Sequence, residues 1–409
     1  MTAETAQLPM DGRALPAARA AGRRICHLGK YYPPASGGIE THLRTLAQAQ
    51  ARLGLEVEVL CMNHRPGPTV REWDGPVKVT RFAPRFATSK LEFSFELLRE
   101  LRRAGADVLH MQAPNPTMVV ACLLARPRLP LIVTYQSDVV RQRLLKVFFR
   151  PLERLFYRRV QRILPTSPPY AEGSTFLRAY KDRIRVLPMG LDLESYLNPS
   201  EEDRRQAEQL RRSYAEPLWL ACGRLIYYKG LLNAVRALTK VRGTLLIVGD
   251  GPERTALEEE CKRLGMANRV VFVGELPYQK IVPYYLAATA FWFPSNAKSE
   301  AFGLVQVEAM AAGCPVLNTH IPGSGVPWVS RHEESGLTVP INDPEALAAA
   351  ANRLLDEPGL RERLAQAGRE RAVREFDWTV MARGSIEVYS ALLQGQKIGE
   401  KSVPPVSPM

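Results

Sequence analysis

Trp292-Phe293-Pro294-Ser295-Asn296-Ala297-Lys298-Ser299-Glu300-Ala301-Phe302-Gly303-Leu304-Val305-Gln306-Val307-Glu308 is the stretch on which the fold of this chain turns. The apolar Trp292-Phe293-Pro294 reads as the end of a buried strand, Gly303 marks a turn, and residues 305–312 have helical composition. Strand, loop and helix in that order form the repeating unit of an α/β domain. Glu300 then falls just before the helix N-terminus, and Glu308 lies more than one turn inside, on a neighbouring face. A helix N-terminus offers unpaired N–H groups and partial positive charge to an anionic or hydroxyl-rich ligand. Carboxylates beside such a terminus can accept hydrogen bonds from the hydroxyl groups of a ligand. Two glutamates at this spacing also arise by chance in an acidic helix, so the pair gains meaning from its surroundings.

The same alternation runs outward in both directions. Residues 24–29 read as a first buried strand. After a Pro-containing loop, Gly37-Gly38-Ile39-Glu40 opens a helix over 41–53, which Gly54 ends. Further strands are predicted at 56–61, 77–82, 107–111 and 131–135, with helical stretches between. Leu187-Pro188-Met189-Gly190-Leu191-Asp192 interrupts the pattern and suits an interdomain hinge. A charged helix at 201–214 precedes a second series of strands at 218–222, 244–248, 270–273, 290–293, 315–318 and 336–339. Helices are predicted at 344–355 and 359–375, and Asp377 as the N-cap of a last helix over 378–393. The fold class is α/β: two doubly wound, Rossmann-like domains whose strand ends face a central cleft, where ligands bind. The expected organisation is a flexible tail (1–20), a first domain (21–190), a second domain (191–376), a final helix (377–393) and a polar, Pro-rich, disordered tail (394–409).

With 409 residues, 46% of them hydrophobic, the chain has the size and composition of a two-domain globular protein. No run approaches the roughly 18 apolar residues that span a bilayer, and residues 1–20 contain no apolar signal core. Cys26, Cys61, Cys122, Cys222, Cys261 and Cys314 are scattered, with no C-x-x-C pair, and mostly lie in apolar runs. They read as reduced core thiols of a cytoplasmic protein. The formal charge of +13 is uneven: residues 1–190 hold 30 Lys and Arg against 15 Asp and Glu, whereas the rest hold 25 against 27. An anionic partner surface is therefore expected to meet the first domain.

Several loops carry chemistry. Gly37-Gly38 before a helix allows close approach of a phosphate to the backbone; an ordinary βα loop is the plainer reading. In Gly223-Arg224-Leu225-Ile226-Tyr227-Tyr228-Lys229-Gly230, which leaves the first strand of the second domain, Arg224 and Lys229 can converge on a diphosphate. Two such cations remove the need for a metal. Leu246 to Glu253 is a strand and tight turn, and Val271-Phe272-Val273-Gly274 a strand end. Val133-Thr134-Tyr135-Gln136-Ser137-Asp138 is another, with Asp138 placed either at a ligand or as a helix cap. The six histidines form no triad, and G-x-S-x-G and H-E-x-x-H are both absent from the sequence. His27 and His110 fall on strands, in the core or at the cleft edge. From Arg141 to Ile163, Leu145, Phe148, Phe149, Leu152, Leu155, Phe156, Val160 and Ile163 recur at helical spacing among many Arg and Lys. Such a basic amphipathic helix is suited to an anionic membrane, or else packs on the core with its basic face solvated.

Taken in order, these motifs resemble those of retaining GT-B glycosyltransferases of family 4, over roughly residues 24–393. The resemblance implies a first domain for the acceptor, a second for a GDP- or UDP-sugar, and transfer of a hexose to a hydroxyl of a glycan, probable acceptors in that family being lipid-linked. It implies catalysis by Arg224, Lys229 and Glu300. It assigns donor contacts to Gly37, Gly38, Phe302, Gly303, Leu304 and Glu308, with Val273 beside the nucleobase. Relatives often carry a histidine at the sugar where this chain has Gln136; Gln136 and Asp138 are candidate sugar or acceptor contacts. No metal cofactor is expected, and the implied place is the cytoplasm, peripheral at the inner face of the plasma membrane. A GT-B nucleotide-sugar epimerase shares the architecture but needs acid/base groups that are not identified here. A nucleic-acid-binding protein would explain the charge but not the motifs, so no nucleic-acid partner is expected.

Overall fold

The structure, a computed structural model, describes residues 22–35, 37–87, 91–137 and 143–395. The expected tail at 1–20, most of that at 394–409, Asp138 and Arg141 lie outside the described residues. Among the described residues fifteen strands follow one another: β1 (Arg24–Leu28), β2 (Glu56–Met62), β3 (Val70–Asp74), β4 (Val77–Phe82), β5 (Phe86–Ala87), β6 (Glu92–Phe93), β7 (Val108–Ala113), β8 (Leu131–Tyr135), β9 (Arg162–Pro165), β10 (Leu218–Cys222), β11 (Thr244–Val248), β12 (Val270–Gly274), β13 (Ala290–Phe293), β14 (Val316–His320) and β15 (Gly336–Pro340). One sheet has the order β3-β4-β2-β1-β7-β8-β9 and the other β12-β11-β10-β13-β14-β15, while β5 and β6 pair alone. All pairings in the two large sheets are parallel except β3 with β4. Parallel strands sit between two helical layers, which is why β7, β8, β11 and β13 are buried along their whole length.

Four strands lie outside the expected pattern: the short pair β5 and β6, and β3 and β9. β3 is an exposed antiparallel edge with the sequence Val-Arg-Glu-Trp-Asp, and has no apolar run to announce it. β9 corrects the long basic helix: the helix is Arg143–Tyr157, and Ile163, expected at its far end, is buried in a strand. The chain turns back at residues 158–161, where Arg159 donates to the carbonyl oxygens of Cys122 and Pro127 and fixes the turn against the neighbouring helix.

Chain order reverses within each sheet between β1 and β7 and between β10 and β13. At such switch points the loops leaving adjacent strands diverge and open a crevice at their carboxyl ends. The two crossings between the halves are tied together. Leu191 N donates to Phe376 O (2.9 Å) and Trp378 N to Leu191 O (2.8 Å). Asp377 caps the last helix, Trp378–Leu393, by accepting from Thr379 N at 2.8 Å. That helix returns to pack on helix Gly38–Arg52 of the first half.

A buried polar network holds it there. Gln50 Nε2 donates to Ser385 Oγ (2.7 Å) and to the Tyr389 hydroxyl (2.8 Å), and Gln50 Oε1 accepts from His27 Nε2 (2.7 Å). Tyr389 meets His110 Nδ1 at 2.6 Å, and His110 Nε2 meets Thr134 Oγ1 at 2.7 Å. His27, His42 and His110 are all fully buried core residues. Burial holds His27 down to about 4, His42 to about 3, and His110 well below the ordinary range, with mutual repulsion adding to the last two. The unfolded chain binds these protons near pH 6.5 and the folded chain does not. The stability these groups contribute is therefore complete above pH 6.5 and declines as pH falls towards 4, by roughly 1.4 kcal/mol per pH unit per histidine. Chemical denaturation at pH 7.5 and pH 5 should show this loss, and His27→Gln or His110→Gln should flatten the pH dependence; equal stability at the two pH values would refute it.

Candidate active site

The second sheet's switch point brings two loops together. The loop after β10, residues 223–230, carries Arg224 and Lys229; the loop after β13, residues 294–303, carries Glu300. β10 and β13 are hydrogen-bonded neighbours, so these loops start side by side although some 70 residues apart in sequence. They pack without a gap: a Cβ on Gly230 (φ +64°) would lie 2.0 Å from the Pro294 carbonyl oxygen. Asn296 N also donates to Tyr228 O at 2.9 Å.

The outcome is an ion pair between Lys229 Nζ and Glu300 Oε2 of 2.6 Å, with side chains only 14% and 13% exposed. Ser295 Oγ donates to the same carboxylate oxygen at 3.5 Å, and the ammonium lies 4.9 Å from the centre of the Phe293 ring. Burial by itself lowers the Lys229 pKa; the adjacent Glu300 carboxylate more than reverses this and leaves it above the ordinary lysine value. Lys229 is thus charged at any physiological pH. Arg224 is exposed on the same loop, with no side-chain hydrogen bond or ion pair among the described residues.

Beyond Glu300 the chain turns at Gly303 (φ +77°), where a Cβ would strike the Phe293 ring at 2.7 Å. Helix Leu304–Ala311 starts there with no side-chain cap, so its first N–H groups have no intrahelical acceptor. Phe302 is buried in the core, and Leu304 packs at its margin. Glu308 is buried one turn further on and accepts from the Tyr285 hydroxyl at 3.0 Å. Burial pushes its pKa up to about 7, against the opposing pull of Tyr285, Tyr196 and Lys229. The tyrosines around Glu308 were not foreseen; they come from segments distant in sequence and carry no motif.

Val273 is half-buried near the end of β12, the outer strand of the same half-sheet. In the first half, Gly37 immediately precedes helix Gly38–Arg52, whose first turn also has no side-chain cap. Gln136 follows β8 directly and is buried, with Nε2 donating to Gln112 Oε1 of β7 at 2.9 Å. That partner was not anticipated, and it leaves Gln136 held by the protein on one side. The six cysteines are free, five of them buried.

The two halves meet close to Glu300. Ala301 packs into the first half's core, and Lys298 Nζ donates to Gly173 O at 2.7 Å. The Glu300 loop therefore meets the first half at the carboxyl ends of the second sheet. The arrangement offers cations and free amides to an anion, and carboxylates to hydroxyl groups.

The family model described as Glycosyl transferases group 1 matches residues 202–371, and the Glycosyl transferase 4-like domain matches 37–190. The D-rhamnosyltransferase WbpZ of Pseudomonas aeruginosa is 33% identical over 344 residues, covering 83% of this chain and 89% of that protein. The O-antigen chain mannosyltransferase C of Escherichia coli is 29% identical over 378 residues, covering 91% of this chain and 100% of that protein. Among solved structures, sucrose-phosphate synthase from Thermosynechococcus elongatus matches with a TM-score of 0.75 at 25% identity, over 91% of this chain and 100% of that one. Anabaena HepE in complex with UDP-glucose matches in fold with a TM-score of 0.72 at 20% identity, over 90% and 99%. These likenesses run through both sheets and both cleft loops, and with them the chain belongs to the group 1 glycosyl transferases: a transferase enzyme of GT-B fold.

Proposed function

We propose that the protein transfers a hexose from a nucleotide-diphosphate sugar, GDP- or UDP-linked, to a hydroxyl of a lipid-linked glycan with retention of anomeric configuration. The observation that carries this reading is the Lys229–Glu300 pair at the switch point, with Arg224 beside it and an uncapped helix N-terminus behind it. The two relatives described above are named for sugars of manno configuration, D-rhamnose being 6-deoxymannose, and this supports a manno-configured donor.

In the proposed reaction the acceptor hydroxyl attacks the anomeric carbon from the face that the diphosphate leaves. The new C–O bond forms as the sugar–phosphate bond breaks, and the hydroxyl proton passes to the departing phosphate oxygen. Lys229 and Arg224 stabilise the growing phosphate charge, helped by the amides at Gly37 and Gly38. Glu300 and the amides of Phe302, Gly303 and Leu304 hold the sugar, and Glu308 the ribose diol. Val273 lies beside the base, and Gln136 borders the sugar or acceptor. An epimerase would use the same nucleotide grip; only a transferase makes nucleotide release depend on an acceptor.

A membrane surface for the acceptor is proposed from the first half. Helix Arg143–Tyr157 buries Phe156 and Tyr157 but exposes Leu152 (42%) and Leu155 (50%) beside exposed Arg150 and Arg154. Its neighbour, helix Pro116–Ala125, exposes Leu124, and helix Phe95–Arg103, which packs on that second helix, exposes Phe95, Arg99, Arg102 and Arg103. Apolar tips among arginines suit an anionic lipid interface. Among the described residues, no helix is long and apolar enough to cross a membrane. A peripheral place at the inner face of the plasma membrane is the corresponding proposal.

Three outcomes are expected. In a thermal-shift panel of GDP-mannose, GDP-D-rhamnose and UDP-glucose with bare GDP and UDP, a manno-configured donor should stabilise most, by about 2.7 kcal/mol at a hundredfold excess over Kd; no shift with any compound would remove the donor site. Lys229→Ala and Arg224→Ala should each lower turnover by about two orders of magnitude, while wild-type turnover persists in excess EDTA; loss in EDTA restored by magnesium would contradict charge neutralisation by these two residues. Co-sedimentation with anionic vesicles should fall at high salt and in the variant Arg150→Gln/Leu152→Ser/Arg154→Gln/Leu155→Ser, because such attraction is screened over about 8 Å; equal recovery with neutral vesicles would favour a soluble acceptor.

A further inference from the structure

We propose that Lys298 is a positioning residue that docks the Glu300 loop onto the first domain, so that closing the cleft and setting the sugar-binding carboxylate are one event. The inference rests on the proposed sugar transfer and adds to it a residue whose ammonium is bonded to the first domain. Lys298 sits two residues before Glu300, yet its ammonium is directed away, to the Gly173 carbonyl oxygen (2.7 Å) and over the Tyr170 ring (4.9 Å from its centre). Both partners belong to segment Pro168–Gly173, which follows β9 in the first domain.

Two more contacts extend the seam. The backbones of Gly173 and Gly323 approach so closely that a Cβ on Gly173 would lie 2.6 Å from the Gly323 Cα. A Cβ on Gly325 would lie 2.5 Å from Ser167 Oγ. The segment 323–325 in turn grips the glutamate loop: Ser324 Oγ donates to the Glu300 carbonyl oxygen (2.5 Å), and Gly325 N to the Ala301 carbonyl oxygen (2.9 Å). Ala301 itself packs among first-domain core residues. The backbone of Glu300 is thus bracketed by groups that are themselves seated on the first domain. With the domains apart, Lys298, Gly323 and Ala301 lose these partners together, and the carboxylate loses the frame that aims it. Lys229 and Arg224 lie on the loop after β10 and make none of these contacts with the first domain, so the second domain's own share of the grip on a bare diphosphate does not depend on the seam.

The test compares Lys298→Met, Lys298→Arg and Gly173→Ala with the wild type. Gly173→Ala wedges the seam from the opposite domain and leaves Lys298 intact. Nucleoside-diphosphate release from GDP-mannose and UDP-glucose, with a lipid extract as acceptor, gives kcat and KM; calorimetric titration gives Kd for bare GDP and UDP. Lys298→Met and Gly173→Ala should lower kcat roughly ten- to a hundredfold, the scale of a misplaced catalytic group. Kd for bare nucleotide should stay within about threefold of the wild type, since cost is confined to the closed, sugar-bound state. Lys298→Arg should recover part of the loss, because it restores a charged donor. An unchanged kcat in both Lys298→Met and Gly173→Ala, or a parallel loss of bare-nucleotide affinity, overturns the proposal. Wild-type protein that binds neither nucleotide and releases none overturns the sugar-transfer reading itself, which the variants alone would not do.

Discussion

A lysine and a glutamate held 2.6 Å apart, each largely withdrawn from water, set the terms for the rest of the molecule. Desolvating either charge alone would be costly, and each is tolerated because the other is there. Such a pair is poised for a ligand that carries both kinds of replacement partner. A diphosphate can take over the ammonium, and a sugar hydroxyl can donate to the carboxylate. On the proposed reading the pair forms a socket for the donor in which each charge satisfies the other.

Building that socket requires the doubly wound sheet. Lys229 and Glu300 belong to loops that leave β10 and β13, which are neighbours only because the strand order reverses there. Gly230 lets one loop touch the other, and Phe293 supplies an aromatic face under the ammonium. Glu308 stands apart in kind. Its carboxyl sits among tyrosine hydroxyls, and burial raises its pKa to about 7. In the other half, the Gln50, His27, His110 and Tyr389 network binds the returning last helix to the first domain. The two chain crossings between the halves are paired at Leu191.

The strands that were legible are those whose apolar runs are continuous, such as Ala290–Phe293 and Thr244–Val248, because burial on both faces leaves no room for polar residues. β3 escaped notice because an exposed edge needs no such run. β9 was absorbed into the preceding helix because Val160 and Ile163 continue its spacing by coincidence. Lys229, Arg224 and Glu300 could be singled out because each lies within a few residues of a strand end and a glycine. The contact between Lys229 and Glu300 was not readable, and neither was the bond from Lys298 to Gly173, which joins positions 125 residues apart. Gln136 showed as a departure from relatives, but its tie to Gln112 is a contact between strands that only the fold reveals. His27 and His110 were placed correctly on strands, while their shared network with Tyr389 depended on where the last helix returns.

The most direct test divides the ion pair between the two ends of the donor. Calorimetric titration of bare GDP and of GDP-mannose, and of UDP and UDP-glucose, should be made against the wild type, Lys229→Met and Glu300→Gln. Lys229→Met should weaken the bare nucleotide and the nucleotide sugar alike. Glu300→Gln should weaken only the nucleotide sugar, because its carboxylate faces the hexose. Bare-nucleotide affinity that falls as much in Glu300→Gln as in Lys229→Met, or that is unchanged in Lys229→Met, would contradict the account.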